Sequence, residues 1–357
     1  MSGQAYLILE NGAVFEGSFF GAQGDVTGEI VFNTGMTGYL ETLTDQSYYG
    51  QFVLQTFPLI GNCGIIPDDF ESAGIGLKAY IVKYPCGMPS NFRSSVKDDE
   101  KNLDAFLKSR GIIGLHGIDT RSLAKIIRDN GVMNGKITSS KPTDADRREA
   151  KNYSVTNPIA SVSQRSITKA GIGKRRVALM DFGVKRSIIN ELAARECEVS
   201  IFPHDTQADE IMKINPHGIM LSSGPGDPAD PGNKKIIETI RVLIKKDLPV
   251  FGICIGHLLL AVANGYKTKK MKFGHRGTNQ PVKDTKSGRV FITSQSHGYE
   301  AIADNSSFIN VNDGSCEGLD YGVSFSVQFH PEARGGPLDT GFLFDMFMKR
   351  IDAYAIK

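Results

Sequence analysis

The first half of the chain alternates short β-type runs with two helical patterns. Residues 5–10 and 13–17 are strand-like and flank Asn11-Gly12, a dipeptide that favours the tight turn of a hairpin. Residues 29–33, 51–57 and 77–83 read as further strands, rich in Val, Ile and aromatic side chains. Leu103, Phe106 and Leu107 recur at helical spacing and predict a helix over 103–110. Asp119-Thr120 supply caps for a second helix, 121–129, which stops at Asn130-Gly131. Residues 141–176 are polar and weakly patterned, and their core, 153–174, reads as a linker or a surface-hugging connection. Beyond it the pattern becomes regular. Strands at 177–180, 199–202, 218–221 and 249–253 alternate with helices at 185–195, 207–214, 233–246 and 256–263. That alternation predicts a largely parallel sheet with helices on both faces. Late strands at 289–293 and 323–329 and an amphipathic helix at 342–351 follow. The expected fold class is α/β: a mixed α/β domain over 1–152, the linker, and a second domain over 175–357.

Composition narrows the function classes. A chain of 357 residues has room for about two domains. Apolar residues at 40% and charged residues at 22% sustain a buried core, which excludes disorder as the main state. The net charge of +2 gives no reason to expect nucleic acid or a membrane surface as partner. The five cysteines are odd in number, and no two lie at metal-ligand spacing, so neither a disulfide framework nor a metal site is expected. The start of the chain lacks the pattern of a signal peptide, and no apolar run approaches ~18 residues, so a reducing cytoplasm is the expected compartment.

One cysteine stands in a chemical context. Gly252-Ile253-Cys254-Ile255-Gly256-His257 follows an apolar strand and opens an apolar helix. This G-x-C-x-G pattern has the logic of a nucleophile elbow with Cys in place of Ser. The turn holds the nucleophile in a strained conformation, so its neighbours two residues away must be small. The helix N-terminus favours the thiolate, and the N–H of Ile255 points where an oxyanion would form. A cysteine nucleophile needs a base and an orienting acid. Phe329-His330-Pro331-Glu332 follows a late strand, so His330 is the candidate base and Glu332 the group that holds its tautomer.

Two further segments carry two readings each. Ser223-Gly224-Pro225-Gly226-Asp227-Pro228 is either a plain β-turn or a place where backbone approaches a substrate at the carboxyl end of a sheet. It is no P-loop, since no Gly-Lys-Ser/Thr follows. From Lys267 to Arg289 there are eight basic residues against one acid, Asp284. That run is either a solvated face or a contact for an acidic partner protein.

Taken together, Gly252–His257, His330-Pro331-Glu332 and Ser223–Pro228 resemble a class I glutamine amidotransferase domain. Lys270-Met271-Lys272-Phe273-Gly274-His275-Arg276-Gly277 and Pro281-Val282-Lys283-Asp284 narrow the resemblance. So do Val31-Phe32-Asn33-Thr34-Gly35-Met36-Thr37-Gly38-Tyr39, Leu43-Thr44-Asp45-Gln46-Ser47-Tyr48, Ser90-Asn91-Phe92-Arg93 and Gly117-Ile118-Asp119-Thr120-Arg121. These are similar to the small, glutamine-hydrolysing chains of carbamoyl phosphate synthetases, over nearly the whole length except the linker. The resemblance implies that Cys254 attacks the glutamine amide, that His330 shuttles the proton and that Glu332 orients His330. It implies that Gly224 and Ile255 hold the oxyanion, and that Ser47, Gly224, Gly226, Ile255, Gly298 and Tyr299 line the glutamine site. Because Ser47 lies in the first part, the resemblance places that site at the junction of the two parts. It further implies a large synthetase subunit as partner, which receives ammonia and uses ATP, bicarbonate and magnesium for the arginine and pyrimidine pathways. No cofactor is expected on this chain.

The chain departs from the family pattern at four positions. Leu258 stands for the usual Gln after the elbow, and Ser296 for the usual Asn before His-Gly. Ser223 replaces an Asn before Gly-Pro-Gly, and Gln280 a His before Pro-Val-Lys-Asp. Loss of one hydrogen bond to a charged ligand costs ~1.5–3 kcal/mol, so weaker glutamine binding is expected. Two rival readings follow: a partner-binding regulatory subunit with weak glutaminase activity, and an amidotransferase subunit of another synthetase.

Overall fold

The computed structural model describes residues 3–90, 96 and 101–355, in two compact units, Met1–Thr156 and Asn157–Lys357. The Asn91-Phe92-Arg93 part of one family-like segment lies outside the described residues.

The first unit is built on a closed seven-stranded barrel. Its strands run in the order Gln4–Leu9, Val14–Gly21, Ile113–His116, Ala79–Val82, Gln51–Gln55, Val26–Asn33 and Met133–Thr138. The predicted hairpin is present, with Gly12 at φ 93° in its turn. The helix Thr120–Asn130 starts where Asp119 accepts from the N–H of Ser122 at 2.9 Å and ends at Gly131, φ 95°. Val31, Val53, Tyr80 and Val82 on the strands pack against Leu103, Phe106 and Leu107 of the helix Leu103–Ser109.

The strand Met133–Thr138 was not legible in the pattern, because its sequence MNGKIT is half polar. It is nevertheless buried, and its lysine is tied down. Lys136 Nζ lies 2.8 Å from Asp146 and 2.7 Å from Glu149, both on the helix Asp144–Lys151. Hydrogen bonds from Lys136 hold both carboxyls below their ordinary range. A depressed carboxylate adds stability above its unfolded value near ~4, and that contribution is lost as the pH falls. Lys136→Met is therefore expected to lower the stability of this unit by about 1 kcal/mol at neutral pH. It should also flatten the loss of stability between about pH 5 and 3. Thermal unfolding of parent and variant across that range checks both.

The second unit is a ten-stranded sheet. Cys197–Pro203, Arg175–Asp181, Gly218–Leu221, Val250–Ile253 and Phe325–Val327 form its parallel centre in that order. Cys316–Asp320, Phe308–Asn310, Lys267–Asp284 and Val290–Ile302 extend it as antiparallel strands. The centre is apolar on both faces, as strands covered by helices must be. Along Arg175–Asp181, Ala178 and Met180 face one cluster, with Ile236, Ile240, Leu259 and Leu260 of the helices Lys234–Ile244 and Ile255–Ala263. Val177 and Leu179 face the other, with Ile188, Leu192, Phe344 and Phe347 of Arg186–Ala193 and Phe342–Ala355.

The stretch 153–174 is more structured than its polar composition implies. It carries the helix Pro158–Val162, whose Ile159 is buried in the core, and the edge strand Thr168–Ala170, paired with Cys197–Pro203. Most of the basic run lies on one long strand, Lys267–Asp284. Lys267, Lys269, Lys270 and Lys272 are exposed along it, whereas Arg276 is buried and donates to the carbonyl of Phe273 at 2.8 Å. Among the described residues, no helix is long and apolar enough to cross a membrane.

Candidate active site

The strand Val250–Ile253 ends in a turn of high strain. Cys254 has φ 56° and ψ −111°, a region that non-glycine residues rarely enter. Two close approaches enforce it. A Cβ on Gly252 would lie 2.7 Å from the carbonyl oxygen of Gly256, and one on Gly256 would lie 2.4 Å from that of Leu221. Both positions therefore require glycine, as the elbow reading predicts. The Cys254 N–H is bonded to the carbonyl of Val327 at 3.0 Å, and its own carbonyl accepts from Leu258 at 3.1 Å, so the turn leads directly into the helix Ile255–Ala263.

The parallel centre of the sheet brings the partners together. Ile253 pairs with Val327 on the neighbouring strand, and three residues further on stands His330. The His330 N–H is fixed to the carbonyl of Ser294 at 2.9 Å. Its ring Nδ1 lies 2.7 Å from Glu332 Oε1, and the nearby Cys254 thiol is among the groups that favour its protonated form. Cys254, His330 and Glu332 are all buried. Burial and the Lys185 ammonium push the imidazole down, but Glu332 and the thiol together outweigh them and hold His330 above its ordinary pKa. Burial pushes Glu332 up, while His330 and Lys185 outweigh it and hold the carboxyl below its ordinary range.

The Gly-rich turn leaves the adjacent strand, since Leu221 pairs with Gly252. A Cβ on Gly224 would lie 1.8 Å from the carbonyl oxygen of Phe182, and Gly226 has φ 110°. The segment is thus a tight turn that leaves the strand next to the elbow. Ile255 is the first residue of the elbow helix. Gly298 and Tyr299 lie on Val290–Ile302, just past Ser296, whose Oγ is 3.1 Å from His330 Nε2. Ser47 belongs to the first unit, in the turn Gln46–Tyr48, and its buried hydroxyl has no partner among the described residues. His257, beside the elbow glycine, is a core residue. It meets Ser326 Oγ at 2.8 Å, and burial pushes its imidazole down to about 3.

Sequence reasoning missed Lys185. This buried lysine lies 3.1 Å from His330 Nδ1 and 3.5 Å from Glu332 Oε1. The available signal was Asp181-Phe182-Gly183-Val184-Lys185 at the end of a buried strand. There Asp181 Oδ1 accepts from the N–H groups of Gly183 and Val184 at 2.9 and 2.8 Å and turns the chain toward the site.

Residues 7–137 match the family described as carbamoyl-phosphate synthase small chain, CPSase domain, and residues 178–350 match glutamine amidotransferase class-I. The chain is 49% identical to the carbamoyl phosphate synthase small chain of Fusobacterium nucleatum, over 97% of this chain and 98% of that relative. It is 46% identical to the small chain of Clostridium perfringens, over 97% and 99% respectively. It is 45% identical to the carbamoyl phosphate synthase pyrimidine-specific small chain of Halalkalibacterium halodurans, over 97% of both. The chain belongs to the carbamoyl phosphate synthase small chain family, and its second unit carries a class I glutamine amidotransferase domain.

Proposed function

We propose that this chain hydrolyses glutamine to glutamate and ammonia and supplies the ammonia to a large synthetase subunit for carbamoyl phosphate synthesis. One observation carries the reading: a buried cysteine on a positive-φ elbow, at the end of a strand paired with the one that leads to a buried histidine whose Nδ1 lies 2.7 Å from a carboxylate. Cys254 attacks the side-chain amide carbon of glutamine, and its proton passes to His330. The N–H groups of Gly224 and Ile255 hold the resulting oxyanion. His330 then protonates the amide nitrogen, ammonia leaves, and a γ-glutamyl thioester remains on Cys254. His330 next takes a proton from water, the hydroxide attacks the thioester, and glutamate departs with the thiol restored. Glu332 holds the imidazole in the orientation that both steps need. Gly226, Gly298 and Tyr299 line the glutamine, while ATP, bicarbonate and magnesium belong to the large subunit.

Glutamine hydrolysis by the purified chain, with and without the large subunit, tests this. Ammonia release that rises when the large subunit is added supports it, and no release in either state overturns it. A finer prediction concerns Leu258, which lies in the first turn of the elbow helix, in the same apolar cluster that Tyr299 packs against. There it offers no hydrogen bond to a bound amino acid. Leu258→Gln is expected to lower KM for glutamine roughly tenfold, with kcat little changed. Steady-state kinetics decides, and an unchanged KM would make Leu258 a packing residue only.

A further inference from the structure

The two ring nitrogens of His330 meet different groups. Nδ1 lies 2.7 Å from Glu332 Oε1 and 3.1 Å from Lys185 Nζ, so that side of the ring is taken. Proton exchange with the thiol and with water therefore runs through Nε2. A hydroxyl, Ser296 Oγ, lies 3.1 Å from Nε2, and both residues are buried. We propose that Ser296 is a positioning residue for His330, which keeps the ring turned toward Cys254 while the sulfur carries the γ-glutamyl group. This inference rests on the glutaminase reading above and concerns the second half of that reaction.

The backbone places the hydroxyl. Ser296 stands on Val290–Ile302, directly opposite Arg276 of Lys267–Asp284. Two residues earlier on the same strand, Ser294 forms an antiparallel bridge with His330, and its carbonyl accepts from the His330 N–H at 2.9 Å. The strand that anchors the backbone of His330 thus also carries the hydroxyl that meets its ring.

The need for it arises midway through the cycle. Before attack, thiol and imidazole share one proton, and that attraction aims Nε2 at the sulfur. Once ammonia has left, the sulfur holds an acyl group, has no proton to share and is a weak acceptor. His330 is then neutral, with its proton on Nδ1 toward Glu332 and a lone pair on Nε2. The Ser296 hydroxyl can donate to that lone pair. When water gives its proton to Nε2 and the hydroxide attacks the thioester, the new N–H points back at the same oxygen, which now accepts. A hydroxyl serves both states by turning about its Cβ–Oγ bond, whereas a methyl group serves neither. The serine proton is not transferred at any step. Without the hydroxyl, the ring keeps its anchor at Nδ1 but loses the one at Nε2.

Quenched-flow kinetics on the full chain with the large subunit tests this, with the γ-glutamyl adduct on Cys254 followed by mass spectrometry. In Ser296→Ala the adduct should decay roughly three- to tenfold more slowly than in the parent, the range expected for one lost hydrogen bond. Its formation should stay close to the parent rate, because the thiol itself orients the ring in that step. The acylated fraction in the steady state should rise accordingly. Ser296→Thr, which keeps the hydroxyl, should restore most of the decay rate. A serine that only packs would slow both steps alike or neither. Parent-like decay in Ser296→Ala, or equal slowing of formation and decay, overturns the inference. So does a threonine variant that unfolds like the parent yet decays as slowly as the alanine one. A parent that forms no adduct and releases no ammonia overturns the glutaminase reading, and this inference with it.

Discussion

Cys254→Ser is expected to lower the kcat for glutamine hydrolysis by roughly a thousandfold or more while the unfolding temperature hardly moves. The two effects separate because they rest on different atoms. Hydrolysis needs a sulfur that becomes a strong nucleophile once its proton goes to His330, and a serine hydroxyl in the same place holds its proton far more tightly. The fold asks little of the sulfur. The strained turn is imposed by Gly252 against Gly256 and by Gly256 against Leu221, and serine can follow the same backbone. With the large subunit present, carbamoyl phosphate synthesis from added ammonium salt should survive the substitution, which distinguishes a lost nucleophile from a lost assembly. A serine variant that releases ammonia from glutamine at the parent rate would place the nucleophile elsewhere.

The elements that depend on near neighbours were the legible ones. The parallel centre of the second unit announced itself because four of its five strands are short apolar runs followed by a helical period. The elbow was legible for the same reason: its glycines, its cysteine and its helix are consecutive. His330 and Glu332 could be read because they lie two residues apart after a strand. The barrel was not legible, since closure depends on register between distant strands, and Met133–Thr138 hides its burial behind an asparagine, a glycine and a lysine. Lys185 escaped because a single lysine after a strand is ordinarily solvated, and only the fold shows it turned inward onto His330.

The buried lysine makes the second large effect predictable. In Glu332→Gln the imidazole of His330 loses the carboxylate that orients it, and Lys185 loses the carboxylate 3.5 Å from its ammonium. Taking one partner from a buried ion pair costs about 3 kcal/mol, because the remaining charge stays desolvated. The kcat for glutamine hydrolysis should fall roughly a hundredfold or more, as expected when a catalytic imidazole loses its orienting acid. Lys185→Met in the same chain should then return much of the stability, since it removes the charge left behind, but it should not return the rate. Denaturant unfolding and glutaminase kinetics on the parent, both single variants and the double variant close the cycle. Rate and stability that recover together in the double variant would mean that Glu332 acts only by neutralising Lys185. Recovery of stability alone assigns Glu332 to His330 and makes Lys185 the group that keeps the acid ionised in a buried site.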